Sequence, residues 1–252
     1  MTKIDMLLQG FSLGTDQGNV AFCGVTLIEG TKRTLVDVAH TGRRTLLLER
    51  LRQRGLTPAD IDYVFLTHAH WDHMLNVDLF PNAKVLIHPL EREYCKQPRE
   101  RDWATPRYTT LILESTQLQE VREGEEIDDG VQVIETPGHS RGSMALLVRA
   151  ADQTIAVSGD ALPNGWSATS GLPRYVFWDL DQAQQSIRKL LDRAQAFYPG
   201  HDRPFRVADG GRVAYLEPTG VRVFGWPDGG AGEGGPGISY AAEAPRQTQV
   251  FV

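Results

Sequence analysis

Three histidines and one aspartate fall within six consecutive residues, in the segment His68-Ala69-His70-Trp71-Asp72-His73. The whole chain has only seven histidines, so a chance cluster or a solvated turn is the weaker explanation of this spacing. Neutral imidazole and carboxylate are the side chains that bind Zn²⁺ and similar first-row cations. The segment therefore predicts a metal site.

Strand ends are predicted to position these side chains. The apolar, β-rich run 61–66 directly precedes the cluster and is typical of a buried strand, so the ligands lie where a strand passes into a loop. Three later segments repeat this arrangement after the predicted strands 131–135, 154–157 and 196–198. These segments are Thr136-Pro137-Gly138-His139-Ser140, Ser158-Gly159-Asp160 and Tyr198-Pro199-Gly200-His201. Several strands are thus expected to converge their ends on one point.

The four segments together resemble a known family. His68-x-His70-x-Asp72-His73 matches the H-x-H-x-D-H signature of the metallo-β-lactamase superfamily, and the later segments follow in the order that family uses. The resemblance extends over about residues 5–207 and is nearest to the lactonase and glyoxalase II-like branch. It implies an α/β fold, the four-layer αβ/βα sandwich of two mixed β-sheets. The alternation of predicted strands and helices also fits two sheets packed face to face with helices outside.

The resemblance implies seven ligands for two divalent metal ions. One ion would be held by His68, His70 and His139, the other by Asp72, His73 and His201, and Asp160 would bridge them. Zinc is the expected metal, with manganese or iron as alternatives. Asp72 and Asp160 are the predicted catalytic carboxylates, and the strand-end residue Asp37 would support the site without binding metal. The implied reaction uses a metal-bridging hydroxide to cleave a small ester, lactone or thioester.

Other functions remain open. A persulfide dioxygenase-like enzyme would hold one iron ion with His68, His139 and Asp160, but the arginine-bearing glycine loop of that family is missing from 162–165. A small nuclease of the same fold is suggested by the segment 204–207, which follows the last histidine. A degenerate metal-binding protein without activity is disfavoured because all the expected ligands are present. Lactonases place a tyrosine three residues after the bridging aspartate, where this chain has a proline.

Two aromatic loops, 96–108 and 162–178, are either lids over the metal site or ordinary surface loops. They supply most of the predicted substrate contacts, which are Trp103, Tyr108, Trp166 and Tyr175. Tyr175 is also the candidate substitute for the missing lactonase tyrosine. His40 either lines the mouth of the site or is a structural histidine. The aromatic side chains suggest a substrate with a partly apolar body, although loop aromatics often serve packing alone.

Composition limits the remaining partners. Nucleic-acid binding normally requires a basic face, so the net charge of −6 argues against a nucleic-acid partner. No apolar run reaches the length of a membrane span. The N-terminal residues lack the apolar core of a secretory signal, so a cytoplasmic location is expected. A small-molecule substrate is the expected partner, and a homodimer is a further possibility. Residues 1–209 are predicted to form the catalytic domain. Residues 210–252 are predicted to be a glycine-rich extension, a β-hairpin or an arm packed on that domain.

Overall fold

Two β-sheets form the centre of the computed structural model, which describes residues 2–15, 18–151, 153–218, 221–222 and 248–250. The strands of the first half of the chain are β1 (Lys3–Leu8), β2 (Phe11–Thr15), β3 (Gly18–Phe22), β4 (Val25–Glu29), β5 (Arg33–Val36), β6 (Tyr63–Phe65), β7 (Lys84–Ile87) and β8 (Gln117–Glu120). Those of the second half are β9 (Glu126–Asp128), β10 (Val131–Glu135), β11 (Met144–Ala150), β12 (Gln153–Gly159), β13 (Tyr175–Val176), β14 (Ala196–Pro199), β15 (Phe205–Ala208), β16 (Arg212–Tyr215) and β17 (Gln249–Val250).

Both sheets are mixed. The first sheet has the order β1-β4-β5-β6-β7-β8, with parallel pairing from β5 to β8 and antiparallel pairing elsewhere. The second has the order β16-β15-β14-β12-β11-β10-β9, and only its β12–β14 pair is parallel among the described strands. Two small ribbons, β2–β3 and β13–β17, lie outside these sheets.

Six α-helices accompany the sheets in the described part of the chain. They are α1 (Arg44–Arg52), α2 (Trp71–Met74), α3 (Pro89–Lys96), α4 (Thr109–Glu114), α5 (Gly165–Ser170) and α6 (Leu180–Arg193). Short 3₁₀ helices cover Thr41–Arg43, Pro58–Asp60 and Val77–Leu79. The Asp179 carboxylate caps α6 by accepting a hydrogen bond from the Gln182 amide at 2.8 Å. Within the described residues, no helix has both the length and the apolarity needed to cross a lipid bilayer.

The alternation of side chains along each strand builds four layers. In β7, Leu86 points to the core between the sheets, whereas Val85 and Ile87 point to the core beneath the helices of the first sheet. In β11, Leu146 points to the core between the sheets, and Leu147 points towards α6. Helices therefore cover the outer face of each sheet, and the two inner faces pack on each other. This confirms the predicted αβ/βα sandwich.

The structure differs from the sequence-based prediction at the N-terminus. The sequence pattern predicts one strand over residues 6–12 and another over 20–28, but each is broken, and the residues between the breaks form the separate β2–β3 hairpin. The second sheet continues to Tyr215, past the predicted domain boundary at 209, and β17 pairs with β13. Residues 223–247 and 251–252 lie outside the described residues, and with them most of the predicted C-terminal hairpin. The domain division therefore stays a prediction.

Candidate metal centre

The seven predicted ligands come from strand ends of both sheets. The loop after β6 and the first turn of α2 present His68, His70, Asp72 and His73, while His139, Asp160 and His201 follow β10, β12 and β14. The two sheets are joined at this edge, because the Met144 amide donates to the Thr67 carbonyl at 2.8 Å. Gly159 is needed for the close approach: its φ is +49°, and a Cβ there would lie 2.5 Å from the Thr67 hydroxyl.

These side chains form one buried histidine–aspartate cluster. Ligand atoms of His68, His70 and His139 lie within 4.8 Å of one another, and so do those of Asp72, His73 and His201. Asp160 lies between the two groups. Its Oδ2 is 3.3 Å from His139 Nε2, and its Oδ1 is 3.1 Å from His201 Nε2 and 3.4 Å from His73 Nε2. The structure thus brings all seven predicted ligands together.

The inward atoms of this cluster fit a bound cation. His68 Nε2, His73 Nε2, Asp72 Oδ2 and Asp160 Oδ1 are buried and make no hydrogen bond within the described residues. Leaving polar atoms buried and unpaired costs about 1–3 kcal/mol each. The donor set is imidazole nitrogen and carboxylate oxygen, which suits Zn²⁺ and related ions. Divalent ions bound by the two ligand groups would satisfy all four atoms.

The outward atoms of the same histidines have partners that fix each ring. His73 Nδ1 lies 2.8 Å from Asp37 Oδ2, and His68 Nδ1 lies 3.0 Å from the Thr67 hydroxyl. His139 Nδ1 lies 2.9 Å from the Tyr175 carbonyl oxygen, and His201 Nδ1 lies 3.2 Å from the Phe22 carbonyl oxygen. Because a carbonyl can only accept, these two rings carry their proton on Nδ1 and present the Nε2 lone pair to the cluster.

Asp37 occupies the supporting position that the resemblance implies. Its carboxylate accepts hydrogen bonds from the Thr67 amide at 2.9 Å and the Thr67 hydroxyl at 2.9 Å, besides its contact with His73. Its backbone φ of +57° is rare for a residue other than glycine. This strained conformation at the end of β5 aims the carboxylate at the ligand loop.

Sequence reasoning missed a second supporting carboxylate, Asp102. It lies in the aromatic loop 96–108, is 4% exposed, and places Oδ2 3.6 Å from His70 Nε2. Although burial alone would raise the pKa of Asp102, His70 and the hydroxyls of Tyr94 and Thr105 lower it. Asp102 is therefore an anion beside the Nε2 edge of the predicted ligand His70. Only tertiary packing reveals it, since the surrounding loop also carries the exposed charged residues Glu100 and Arg101.

The cluster perturbs the proton affinities of its own members. Burial alone would lower the pKa of His73, but Asp72, Asp37 and Asp160 outweigh burial and raise it to about 10. Burial would raise the pKa of Asp160, but His201, His73 and His139 hold it well below its usual range. Burial lowers the pKa of His139 to about 4. Metal ligands must be deprotonated, so a cation entering this cluster would displace a proton from His73.

A small cavity of about 30 Å³ opens over the cluster and is lined by Asp72, His139, Asp160 and His201 among others. Its walls come from three separate elements. The β2–β3 hairpin contributes Ser12, Asn19, Val20 and Ala21, the loop before α4 contributes Trp103 and Ala104, and the segment around β13 contributes Tyr175 and Phe177. The hairpin was not expected from the sequence to take part in the site. The described lining contains no lysine or arginine.

The predicted substrate contacts divide into two groups. Trp103 and Tyr175 line the cavity, whereas Tyr108, Trp166 and His40 are not among its described lining residues. Tyr108 is 50% exposed, and the Arg174 guanidinium lies 5.9 Å from the Trp166 ring centroid. His40 sits behind Trp71, with 5.2 Å between ring centroids, and its Nδ1 accepts a hydrogen bond from the Gly42 amide. The part these side chains play in substrate binding stays a prediction.

Known proteins share this fold and these motifs. The model of the metallo-β-lactamase superfamily matches residues 18–201. Metallo-β-lactamase domain-containing protein 1 of Xenopus laevis is 32% identical over 219 residues, which cover 85% of this chain and 86% of that protein. This chain spans about two thirds or less of the mouse, human and rat proteins of the same name. The chain therefore belongs to the metallo-β-lactamase superfamily, and with its buried cluster it is classed as a metal-dependent hydrolase.

Solved structures agree on the fold. AidC, described as a dizinc quorum-quenching lactonase, superposes with a TM-score of 0.59 and 18% identity, covering 81% of this chain and 82% of AidC. AiiA of B. thuringiensis superposes with a TM-score of 0.61 and 19% identity, covering 76% of this chain and 87% of AiiA. At these identities the likeness extends to the fold alone.

Proposed function

We propose that the protein is a dinuclear metal-dependent hydrolase that cleaves a small ester, lactone or thioester with a partly apolar body. One observation carries the proposal: two ligand groups lie side by side, and Asp160 contacts histidines of both, at 3.3 Å from His139 and 3.1 Å from His201. A carboxylate placed between two groups of imidazoles is the arrangement expected of a bridging ligand. Two ions in such a site supply an activated water and polarise the oxygen of the scissile bond.

The ligands would divide as the resemblance to the superfamily implies. His68, His70 and His139 would hold one ion, Asp72, His73 and His201 the other, and Asp160 both. Zinc is the proposed metal because nitrogen-rich sites with a few carboxylates favour it, and manganese or iron are alternatives that metal analysis distinguishes. AidC, a structural neighbour, is described as a dizinc enzyme.

Three side chains that line the cavity would take part in the reaction. Asp72 lines the cavity, and its Oδ2 has no hydrogen-bond partner among the described groups, so besides serving as a ligand it would orient the attacking water. Tyr175 lines the same cavity and would donate its hydroxyl proton to the oxygen that leaves or gains charge. Phe177, which is 2% exposed, would help to exclude bulk water.

The walls favour a neutral carbonyl substrate over a phosphodiester. Phosphate recognition normally uses arginine or lysine, and the described lining has neither. Trp71, Trp103 and Phe177 offer apolar surface for an acyl chain beside the cluster. AidC was solved with N-hexanoyl-L-homoserine and AiiA with N-decanoyl-L-homoserine, molecules that combine a carbonyl head with an apolar chain. Lactones with an acyl chain are therefore the first class to test.

The test is a substrate panel on zinc-reconstituted protein. The panel contains acyl-homoserine lactones, aliphatic esters, thioesters and a single-stranded RNA, and oxygen uptake on a persulfide is measured separately with iron-loaded protein. We expect saturable hydrolysis of one carbonyl class and a loss of at least about 100-fold in kcat for Asp72→Asn. Asp192→Asn, a change at an exposed aspartate of α6, is the matched control and should keep full activity. RNA cleavage or persulfide oxidation without carbonyl hydrolysis would refute the proposal.

A further inference from the structure

Helix α3 carries a buried carboxylate that the proposed chemistry does not use. Glu91 is 0% exposed, whereas its helix neighbour Glu93 is exposed and pairs with Lys96. Within the described residues, Glu91 forms no ion pair with a lysine or arginine. Its carboxylate instead accepts three hydrogen bonds from neutral donors, namely the Ala69 amide at 3.0 Å, the Ser140 hydroxyl at 2.7 Å and the Gly142 amide at 2.8 Å.

These donors belong to the two loops that carry His68, His70 and His139, here called the three-histidine group. Ala69 lies between His68 and His70, and Ser140 directly follows His139. Oε1 of Glu91 accepts from the first loop, which follows strand β6 of the first sheet. Oε2 accepts from the second loop, which follows strand β10 of the second sheet. One carboxylate thus joins the two halves of the sandwich at the point where His70 Nδ1 and His139 Nε2 approach to 3.1 Å.

The second loop is shaped to reach this carboxylate. A Cβ at position 142 would lie 2.3 Å from the Glu91 amide nitrogen, so glycine lets the loop backbone lie directly against the start of α3. The Ser143 hydroxyl holds the loop in turn, because it accepts from the Ser140 amide at 3.1 Å and lies 3.0 Å from the Ser140 hydroxyl. The junction is therefore packed and hydrogen-bonded on both sides.

Packing alone does not explain a carboxylate here. Burying an anion without a cationic partner is costly, and hydrogen bonds offset only part of that cost. An apolar side chain would fill the same space, but it would leave the three donors of the two loops buried and unpaired. Both oxygens of an ionised carboxylate accept hydrogen bonds and neither donates. The amide of glutamine, which has the same size, has only one accepting oxygen and a donating NH₂ group. The requirement is thus for an acceptor that fixes two loops at once.

We propose that Glu91 is a positioning residue that sets the spacing of His70 and His139 and so tunes the affinity of the three-histidine group for its metal ion. The inference rests on the proposed metal centre. It predicts that the charge and acceptor pattern of Glu91 matter for metal binding although Glu91 touches no ion. Partners that orient metal ligands typically contribute 10–100-fold to metal affinity.

The test compares Glu91→Gln with Glu93→Gln, an exposed change two residues further along the same helix. Glutamine keeps the size of the side chain, but its amide nitrogen must face at least one donor, so one loop contact is lost. Zinc affinity is measured by competition with a chromophoric chelator on metal-stripped protein, alongside the melting temperature of the metal-free form. We expect E91Q to weaken binding of one zinc ion about 10–100-fold and E93Q to leave both ions unaffected.

A purely structural role predicts a different result. E91Q that lowers the melting temperature of the metal-free form but binds both ions within threefold of the parent would overturn the proposal. If E91Q does not fold, Ser140→Ala carries the test, because it removes one of the three donors, and an unchanged zinc affinity there is equally contradictory. A parent protein that binds neither zinc nor manganese nor iron would refute the metal centre and this role together. A parent that binds zinc but hydrolyses none of the panel refutes only the proposed substrate class, and the E91Q-to-parent affinity ratio still decides the role of Glu91.

Discussion

Replacing Asp102 with asparagine is expected to weaken metal binding through His70. Asp102 Oδ2 faces His70 Nε2 at 3.6 Å, and the cluster lies on the other edge of that ring, where Nδ1 is 3.1 Å from His139 Nε2. A carboxylate beneath Nε2 favours the tautomer with the proton on Nε2, which leaves the Nδ1 lone pair free for a metal. Asparagine removes the charge that selects this tautomer.

The size of the effect follows from the partners of each oxygen. Oδ1 accepts from the amides of Ala104 and Thr105 at 3.0 and 3.1 Å, and an asparagine oxygen can keep both bonds. Oδ2 accepts from the hydroxyls of Tyr94 and Thr105, both at 2.8 Å, and these can rotate to accept from an amide instead. Exchanging charged for neutral hydrogen bonds should cost about 1–2 kcal/mol of unfolding free energy. Metal affinity should fall about 10–100-fold, or roughly 1.4–2.7 kcal/mol.

Two measurements separate these effects. Urea denaturation of the metal-free forms of the parent, Asp102→Asn and Asp192→Asn reports the folding cost, and chelator competition reports zinc affinity. Asp192 is exposed, so its variant controls for the loss of one negative charge. If Asp102→Asn loses the expected unfolding free energy but binds zinc as tightly as the parent, Asp102 supports the loop and not His70.

Three further outcomes are expected. Tyr175→Phe should lower kcat at least tenfold without changing zinc content, since it removes only a hydroxyl from the cavity wall. The Phe177 ring is 2% exposed and lies 4.9 Å from the His70 ring, so Phe177→Ala should lower the free energy of unfolding by about 3–5 kcal/mol, as denaturation would show. The same variant should accept bulkier acyl chains in the substrate panel. Chelator-treated protein should melt about 8–16 °C lower, for each ion lost, than protein held at zinc levels a thousandfold above Kd, as calorimetry would show. An unchanged kcat, stability or melting temperature would contradict the respective expectation.

The sequence was sufficient to find the cluster because its ligands are local. His68 to His73 follow one short strand, and His139, Asp160 and His201 each follow another, so strand prediction alone places them at sheet edges. A parallel pair such as β5 and β6 ends at a shared edge, which brings those ends together without detailed knowledge of packing. Motif spacing and strand order therefore pointed to a metal site, and the resemblance to the superfamily supplied the full ligand set and the sandwich fold.

Unlike Asp37, the supporting residues Glu91 and Asp102 could not be found in this way. Glu91 and Glu93 are both acidic residues of a charged helix, and nothing in the sequence indicates that only Glu91 is buried. Asp102 sits in a loop whose charge pattern predicts a solvated surface. Its burial depends on contacts with Tyr94 and Thr105 that no periodicity reveals. Such roles are set by which loops meet across the two sheets.

The β2–β3 hairpin was also hidden from sequence reasoning, because its flanking residues continue apolar runs that look like uninterrupted strands. Its base is fixed by long-range contacts: the Arg43 guanidinium donates to the carbonyls of Gln9 and Cys23, and the Gly24 amide donates to the Gly200 carbonyl at 2.6 Å. These contacts turn the hairpin away from the first sheet and over the cluster. The cavity wall formed by Val20 and Ala21 follows from them.

The central claim is a site for two metal ions, and metal analysis tests it most directly. The parent protein, purified without chelator and then equilibrated with a small excess of zinc, manganese or iron, is analysed for metal per chain beside Asp160→Ala. Removing the carboxylate that contacts His139 and His201 should affect both ions. The account predicts close to two zinc ions per chain in the parent and clearly fewer in the variant. A single iron ion per chain, unchanged by excess zinc, would contradict it.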